Sequence, residues 1–422
     1  MLKSITLLGS SSGKNAGDAA LLSGVMDSID NALGRRLVYE IPTSREWYVW
    51  NEYHNKTRPV SMMPWMLTAG MFGAPTLASV CRTDMTMIFD NPLFDRDLWN
   101  PIFNYMPAFR TFLPIAKRMG KTLGCFNVGM GPVTTPAGQK MLKEICNLMD
   151  FIAVREERSV EIMREIGVQN ENILVTADAA LTVTPAPKQR VDQIMKERGI
   201  DPEAPFLAIN INKYLDTWAK KSGESMGKDK FIEIYAKALE QAAEEINLPI
   251  VFVCTQHHDI EVTEELMNRT KTPLSKKLVD NRTLNHYEVQ GFLSRASLLF
   301  GMRLHSQILA TSQYTPTVGL IFQDKVRFYW EKLGLPECAL SFDNFTVEGI
   351  RDHILFGWRN RDSIRSRLEQ AVPIMREQAH VPGLLISRLE SGMAVFDAVQ
   401  VAKEELKDLE NKLQVVIKKQ AA

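Results

Sequence analysis

The chain has 422 residues, enough for two domains with hydrophobic cores of their own. Its 50 Lys and Arg balance 50 Asp and Glu, so the formal net charge is zero, which argues against a nucleic-acid binder or a protein held on a strongly anionic membrane surface. Five cysteines lie scattered without paired spacing, two of them (Cys125 and Cys254) inside apolar runs; this is the usage of buried thiols in a reducing compartment, with neither a disulfide nor a zinc framework.

The apolar part of the N-terminal MLKSITLLGS is too short for a signal peptide, and Ile5–Leu8 reads as a first strand. The Gly/Ser-rich turn Gly9–Asp18 follows, then a helix from about Ala19. Backbone N–H groups of such a turn can face an anion, but it is neither Gly-x-Gly-x-x-Gly nor a Walker loop. Leu37–Ile41 is a second strand. Residues 42–82 carry aromatic residues (Trp47, Tyr48, Trp50, Tyr53) without a clear period, and a core role suits them better than stacking on sugars. Within them, Val60–Cys81 runs 22 residues without a charge, yet Pro64, Gly70, Gly73 and Pro75 favour a loop or lid over a membrane span.

Met85–Phe89 is the next strand, followed by Asp90-Asn91-Pro92. Thr122–Val128 leads to Gly129-Met130-Gly131-Pro132 and a helix from about Ala137 to Met149. Phe151–Val154 ends on Arg155, the helix Ser159–Ile166 is closed by Gly167, and Ile173–Thr176 ends near Asp178. Thr184-Pro185-Ala186-Pro187 reads as a linker. Beyond it, Phe206–Ile209 is a strand reaching Asn210 and Asn212. A polar loop (213–229), a helix Lys230–Glu245 and a strand Pro249–Cys254 come next. The strand ends in Gln256-His257-His258-Asp259. Adjacent histidines on an extended segment point apart and no third ligand is near, so a polar contact to an acceptor from His257 or Asp259 is favoured over a metal.

His286–Val289 opens a helix that leads into SLLFGMRLHSQILATSQYTPTVGLIFQDK, residues 297–325. Leu298–Phe300 is a strand ending at Gly301; Leu304, Ile308 and Leu309 have helical spacing; Val318–Phe322 is a second strand. This βαβ unit builds a parallel sheet, and ligands of such sheets bind beyond the carboxyl ends of the strands. Arg303, His305 and Lys325 therefore reach one rim. Phe328–Leu333 is helical, with Trp330 placed near the same rim, and residues 362–417 are mostly helical. The charged amphipathic tail Val399–Lys419 is of a kind that packs on its own fold or on a twin subunit more often than on a membrane.

GMRLHSQILATSQYTPTVGLIFQDKV resembles the C-terminal signature of the polysaccharide pyruvyltransferases, with Phe322-Gln323 where an aromatic residue, often Tyr, and a variable one are usual. Asn15-x-Gly17-Asp18, GMGP, AVREERS and TADAAL resemble further motifs of that family in the same order. The glycine-rich turn usual after the third strand is absent, its place taken by Asp90-Asn91-Pro92. Together with the strand–helix alternation, the expectation is an α/β protein of two Rossmann-like domains facing across a cleft, GT-B-like. It comprises an N-terminal domain at 1–185, a C-terminal domain at 186–395 and an amphipathic helix at 396–422. The resemblance implies pyruvyl transfer from phosphoenolpyruvate, as a co-substrate and without a cofactor, to hydroxyls of a glycan or lipid-linked sugar. It implies a cytoplasmic enzyme, free or in peripheral contact with the inner face of the membrane, and is compatible with a homo-oligomer. His305 is expected as general acid/base, and Arg155, Arg303 and Lys325 as binders of the donor anion. Asn15 and Asp18 are read as acceptor contacts or helix caps, and Gly17, Gly129, Gly131, Asp178 and Leu304 as further substrate-site residues; no metal ligand is expected. A nucleotide-sugar glycosyltransferase of the same architecture and a degenerate glycan-binding member are the alternatives.

Overall fold

The computed structural model describes residues 1–62, 73–100, 103–213 and 226–421. The chain forms two compact units: Met1–Gly13, Asp18–Val183 and Ile374–Gln414 make the first, and Lys14–Gly17, Thr184–Pro373 and Val415–Ala422 the second. Each holds a parallel sheet with alternating helices, so both units are Rossmann-like. The domain limits differ from those read in the sequence. Residues 374–414, assigned there partly to the C-terminal domain and partly to a separate helix, belong with the first unit, and only the last residues return to the second.

In the first unit the strands are β1 (Ser4–Leu8), β2 (Val38–Thr43), β3 (Thr57–Ser61), β4 (Met85–Phe89), β5 (Thr122–Val128), β6 (Phe151–Val154) and β7 (Ile173–Val175). Their order is β3-β2-β1-β4-β5-β6-β7, with every pairing parallel. β1 and β4 are adjacent, so the order reverses between them, and that is where a doubly wound sheet opens a crevice. Parallel sheets are covered on both faces, hence the largely apolar runs: all five residues of β4 are buried, Thr86 among them. The β5–β6 register shifts between Cys125 and Val128, where Asn127 takes a positive φ of 49°. This buried bulge is held by Asn127 Nδ2 donating to the Ala379 carbonyl (2.9 Å) and Thr176 Oγ1 donating to Asn127 Oδ1 (2.6 Å).

The second unit contains β8 (Leu207–Asn210), β9 (Ile250–Cys254), β10 (Lys276–Asp280), β11 (Leu298–Gly301), β12 (Thr317–Ile321) and β13 (Ala339–Ser341). The order is β10-β9-β8-β11-β12-β13, again all parallel, with the switch between β8 and β11. An aromatic cluster packs one face: Phe231 stacks on Phe345 at 4.5 Å, and Tyr235 meets the edge of Phe300 at 5.6 Å. The helix Lys228–Ile246 stops at Asn247, which adopts the left-handed conformation that ends many helices. Trp330 is fully buried, its indole N–H donating to Gln307 Oε1 (2.6 Å), so it belongs to the core and not to the rim.

Other elements also depart from the sequence reading. The first helix begins at Ala16, not Ala19, because Asn15 Oδ1 accepts the Gly17 N–H at 2.9 Å and caps it. Within 42–82 lie a short helix Glu46–Asn51, the strand β3 and a helix Ala74–Arg82; Tyr48 and Tyr53 are buried, whereas Trp47 and Trp50 are exposed. Residues 63–72 of the long uncharged stretch, and 214–225 of the polar loop, lie outside the described residues. Among the described residues no helix is long and apolar enough to cross a membrane. Gly167, at φ 75°, closes the helix Glu157–Glu165 as expected. The final helix, Val395–Ala421, buries Ala398, Val399, Ala402, Leu406, Leu409 and Leu413 along one stripe, and pairs Glu405 with Arg388 of the preceding helix.

The helix Ala16–Leu33 lies tight against the turn Ala179–Thr182: a Cβ on Gly24 would sit 2.0 Å from the Ala179 carbonyl oxygen. Backbone cannot yield as a side-chain tip can. Gly24→Ala should therefore cost about 1–3 kcal/mol or more and lower the melting point by several degrees, at roughly 2–4 °C per kcal/mol; an unchanged thermal unfolding midpoint would contradict this packing.

Candidate functional site

The carboxyl edges of the two sheets gather the chemistry, and they differ in electrostatics. At the edge of the first unit, Arg155 follows β6 with its side chain only 4% exposed. Its Nη1 donates to Asp178 Oδ2 at 2.9 Å, its Nε lies 3.5 Å from Glu156 Oε2, and the charge of Asp90 acts on it as well. Burial pulls the guanidinium pKa down, but these three carboxylates outweigh burial and hold it above its ordinary value. The sequence places Arg155 as a donor-anion binder; in the structure its anions are protein carboxylates, because one buried cation is surrounded by three acids. Asp178 is occupied too: its Oδ1 caps the turn Ala179–Thr182 through the Ala180 N–H at 2.9 Å.

The glycines of this edge answer to protein neighbours. A Cβ on Gly129 would come within 2.9 Å of Arg155 Nη2, and one on Gly131 (φ 86°) within 2.7 Å of Ile162 Cδ1. The turn after β4 lacks the usual glycines, yet Asp90 itself adopts φ 66°, and its carbonyl accepts the Gly129 N–H at 2.9 Å. Asp is among the few residues that tolerate this region, so the glycine-like backbone persists without glycine.

At the edge of the second unit, three distant segments meet. Lys14–Gly17 runs alongside the end of β9: the Ala16 N–H donates to the Thr255 carbonyl (2.8 Å), and the His257 N–H to that of Lys14 (2.9 Å). Asn15 and Gln256 form an antiparallel bridge, and Asn281 Nδ2 donates to the Lys14 carbonyl at 3.0 Å. Gly17 then lies against His305: a Cβ at position 17 would be 2.2 Å from His305 Cβ and 2.5 Å from its Nδ1. The Asn-x-Gly and Arg-Leu-His motifs, nearly 290 residues apart in the chain, are thus one construction.

Arg303 ends the turn after β11 and precedes the helix Leu304–Thr311. Its backbone N–H donates to Asn210 Oδ1 at 3.0 Å, and the same oxygen accepts the Ser306 hydroxyl at 2.9 Å. Its guanidinium grips Asp259 side-on, Nε to Oδ2 and Nη2 to Oδ1, the latter at 2.9 Å. Asp259 is 0% exposed and accepts the Lys213 N–H as well, so it is not the acceptor contact expected of it; His257, the other candidate, is half-buried, with Nε2 3.1 Å from the Asn281 carbonyl. Leu304 is buried and packs in the core instead of reaching a substrate. His305 and Lys325 are half-buried; Lys325 sits in the first turn after β12, the neighbour of β11. Asp18 is half-buried in the first turn of the helix Ala16–Leu33 and counts with the first unit. Among the described residues, no group of three or more His, Cys, Asp or Glu could hold a metal.

The two edges therefore differ. Among the described residues Arg155 faces three carboxylates, whereas Arg303, 15% exposed, is ion-paired with Asp259, and Lys325 lies in the first turn of the helix after β12. Sequence reasoning missed Asn210 and the Arg303–Asp259 pair; the signal was polar residues at the ends of the apolar runs of β8 and β9.

Four of the five cysteines are buried. Burial pushes the thiols of Cys146 and Cys254 up to about 12 and raises those of Cys125 and Cys338, while Cys81 is half-buried. Since the thiolate is the reactive form, a disulfide exchange reagent at pH 8 should modify no more than one of the five thiols in the native protein and all five after denaturation; rapid native reaction of several would contradict the burial.

The profile of the polysaccharide pyruvyl transferase family matches residues 15–322, spanning the Asn-x-Gly motif, the switch point of the second sheet and the Arg-Leu-His segment. The amylovoran biosynthesis protein AmsJ of Erwinia amylovora is 22% identical over 410 residues, covering 87% of this chain and 95% of that protein. Among solved structures, the UDP-GlcNAc 2-epimerase of Neisseria meningitidis, bound to UDP-GlcNAc, is similar with a TM-score of 0.59 and 11% identity, covering 96% of this chain and 100% of that one. MnaA of S. aureus, solved with UDP, gives 0.57 and 12%, covering 93% and 98%. These structural likenesses concern the fold alone.

Proposed function

This chain belongs to the polysaccharide pyruvyl transferase family, and we propose that it transfers pyruvate from phosphoenolpyruvate to two hydroxyls of a sugar acceptor, free or lipid-linked, forming a ketal in the cytoplasm. A role in polysaccharide modification accords with the family and with the AmsJ relative. The observation that carries the finer reading is the edge of the second unit, where Arg303 and His305 share one turn and Lys325 follows the adjacent strand.

The chemistry calls for such a set. Phosphoenolpyruvate brings a carboxylate and a phosphate, which Arg303 and Lys325 would meet. A proton must reach the methylene carbon, leaving positive charge on the middle carbon for the first hydroxyl to attack. Phosphate then departs with its bridging oxygen, and the second hydroxyl closes the ketal. Of the two hydroxyl protons released, one balances that gained by the methyl group and the other leaves with phosphate. His305 is the group we assign to these transfers, since imidazole can give and take protons near neutral pH. The reaction as written needs no cofactor.

His305→Gln should keep its fold and lose roughly 10²- to 10⁴-fold in kcat, the usual share of a positioned acid/base. Gly17→Ala should mimic part of that loss, roughly 10²-fold, because its methyl must displace His305; normal turnover in either folded variant would remove His305 from the chemistry.

The donor is tested by thermal unfolding with phosphoenolpyruvate, with nucleotide sugars and with glycans, each with and without chelator. A ligand at a hundredfold excess over Kd stabilises the folded state by about 2.7 kcal/mol. We expect a shift of several degrees with phosphoenolpyruvate, insensitive to chelator. A shift with nucleotide sugars alone would make the protein a glycosyltransferase, and a response to glycan alone a binding protein.

A further inference from the structure

We infer that Asp259 is a positioning residue of this donor site, acting on the substrate only through Arg303. The inference rests on the donor reading above. It starts from how Asp259 is used: the side chain is wholly buried, and each oxygen has a defined donor. Oδ2 accepts Arg303 Nε, and Oδ1 accepts both Arg303 Nη2 and the Lys213 backbone N–H, each at 2.9 Å. Its own backbone is pinned, the N–H donating to the Gln256 carbonyl (2.9 Å) and the carbonyl accepting the Thr263 hydroxyl (2.7 Å). The carboxylate cannot swing to greet a ligand.

Arg303 is held at both ends. Asn210 Oδ1 takes its backbone N–H at 3.0 Å, and Asn210 is itself fixed by donating to the Val253 carbonyl at 2.9 Å. Asp259 takes the Nε–Nη2 side of the guanidinium. That leaves Nη1 and the second N–H of Nη2 outside the Asp259 contact, and this Nη1–Nη2 edge has the spacing to take two oxygens of a carboxylate or phosphate. A long side chain fixed beforehand loses less freedom when the anion arrives.

The test compares steady-state kinetics with phosphoenolpyruvate for the parent, Asp259→Glu, Arg303→Lys and the double variant. Asp259→Glu keeps the charge but advances the carboxylate by a methylene, so it isolates geometry. We expect kcat/KM for phosphoenolpyruvate to fall about tenfold or more with the acceptor KM unchanged, and the same substitution to matter less than about twofold once Arg303 is Lys. Equal losses in both backgrounds, or unchanged kcat/KM in a folded Asp259→Glu protein, would overturn the proposal. Should Asp259→Glu not fold, Asp259→Asn keeps the volume and carries the same expectation. A rise in donor affinity in that variant would show that the carboxylate merely offsets charge, and would overturn it as well. A parent with no phosphoenolpyruvate-dependent turnover fails the donor reading itself; a working parent with an indifferent Asp259 fails this inference alone.

Discussion

Parallel strands can be joined only by crossovers, and crossovers lay helices on both faces of the sheet. Everything else in this molecule follows from that constraint. The faces must be apolar, so polar chemistry has nowhere to go but the ends of the strands, and in a parallel sheet all carboxyl ends share one edge. The helix N-termini are delivered to the same edge. In the first unit Gly129, Arg155 and Asp178 come after β5, β6 and β7; in the second, Asn210 closes β8, and Asp259 and Arg303 come after β9 and β11. Neither edge needs a long loop to assemble its residues.

Two edges built by one rule have been charged differently. Around Arg155 the carboxylates outnumber the guanidinium three to one, and the site is closed to solvent. Among the described residues Arg303 is ion-paired with Asp259, and it keeps partial access. An ion pair of the first kind welds strand ends together; removing its arginine would leave buried acids uncompensated, which is costly. One of the second kind aims a cation. The same residue type at the carboxyl edges of two similar sheets, after β6 in one and β11 in the other, thus does different work, decided by how many acids share the cation.

This difference explains what the sequence could and could not disclose. The central strands β4, β5 and β6 were readable to the residue, because strands buried on both faces are predominantly apolar runs. Edge strands are under no such demand: β3 reads Thr-Arg-Pro-Val-Ser, β10 Lys-Lys-Leu-Val-Asp, and β13 is three residues long, and none carried a period to find. Site residues were legible as polar or glycine positions at strand ends. Their partners were not. Arg303 and Asp259 are 44 residues apart, Asn15 and Gln256 farther still, and no local pattern encodes which strand end will neighbour which. Burial of Leu304 and Trp330 was hidden for the same reason, since a helix beside a rim has a face turned inward as well.

The turn after β4 shows that backbone shape and residue identity are separable quantities. Asp90 holds at φ 66° a geometry for which glycine is the cheapest solution, and for Asp the excess is small because its short side chain tolerates the left-handed region. A pattern written in letters scores that position as a loss, although the angle Asp90 adopts is one that glycine also takes. Positions where φ is positive are better compared by the set of residues able to occupy them, Gly, Asn and Asp, than by glycine alone.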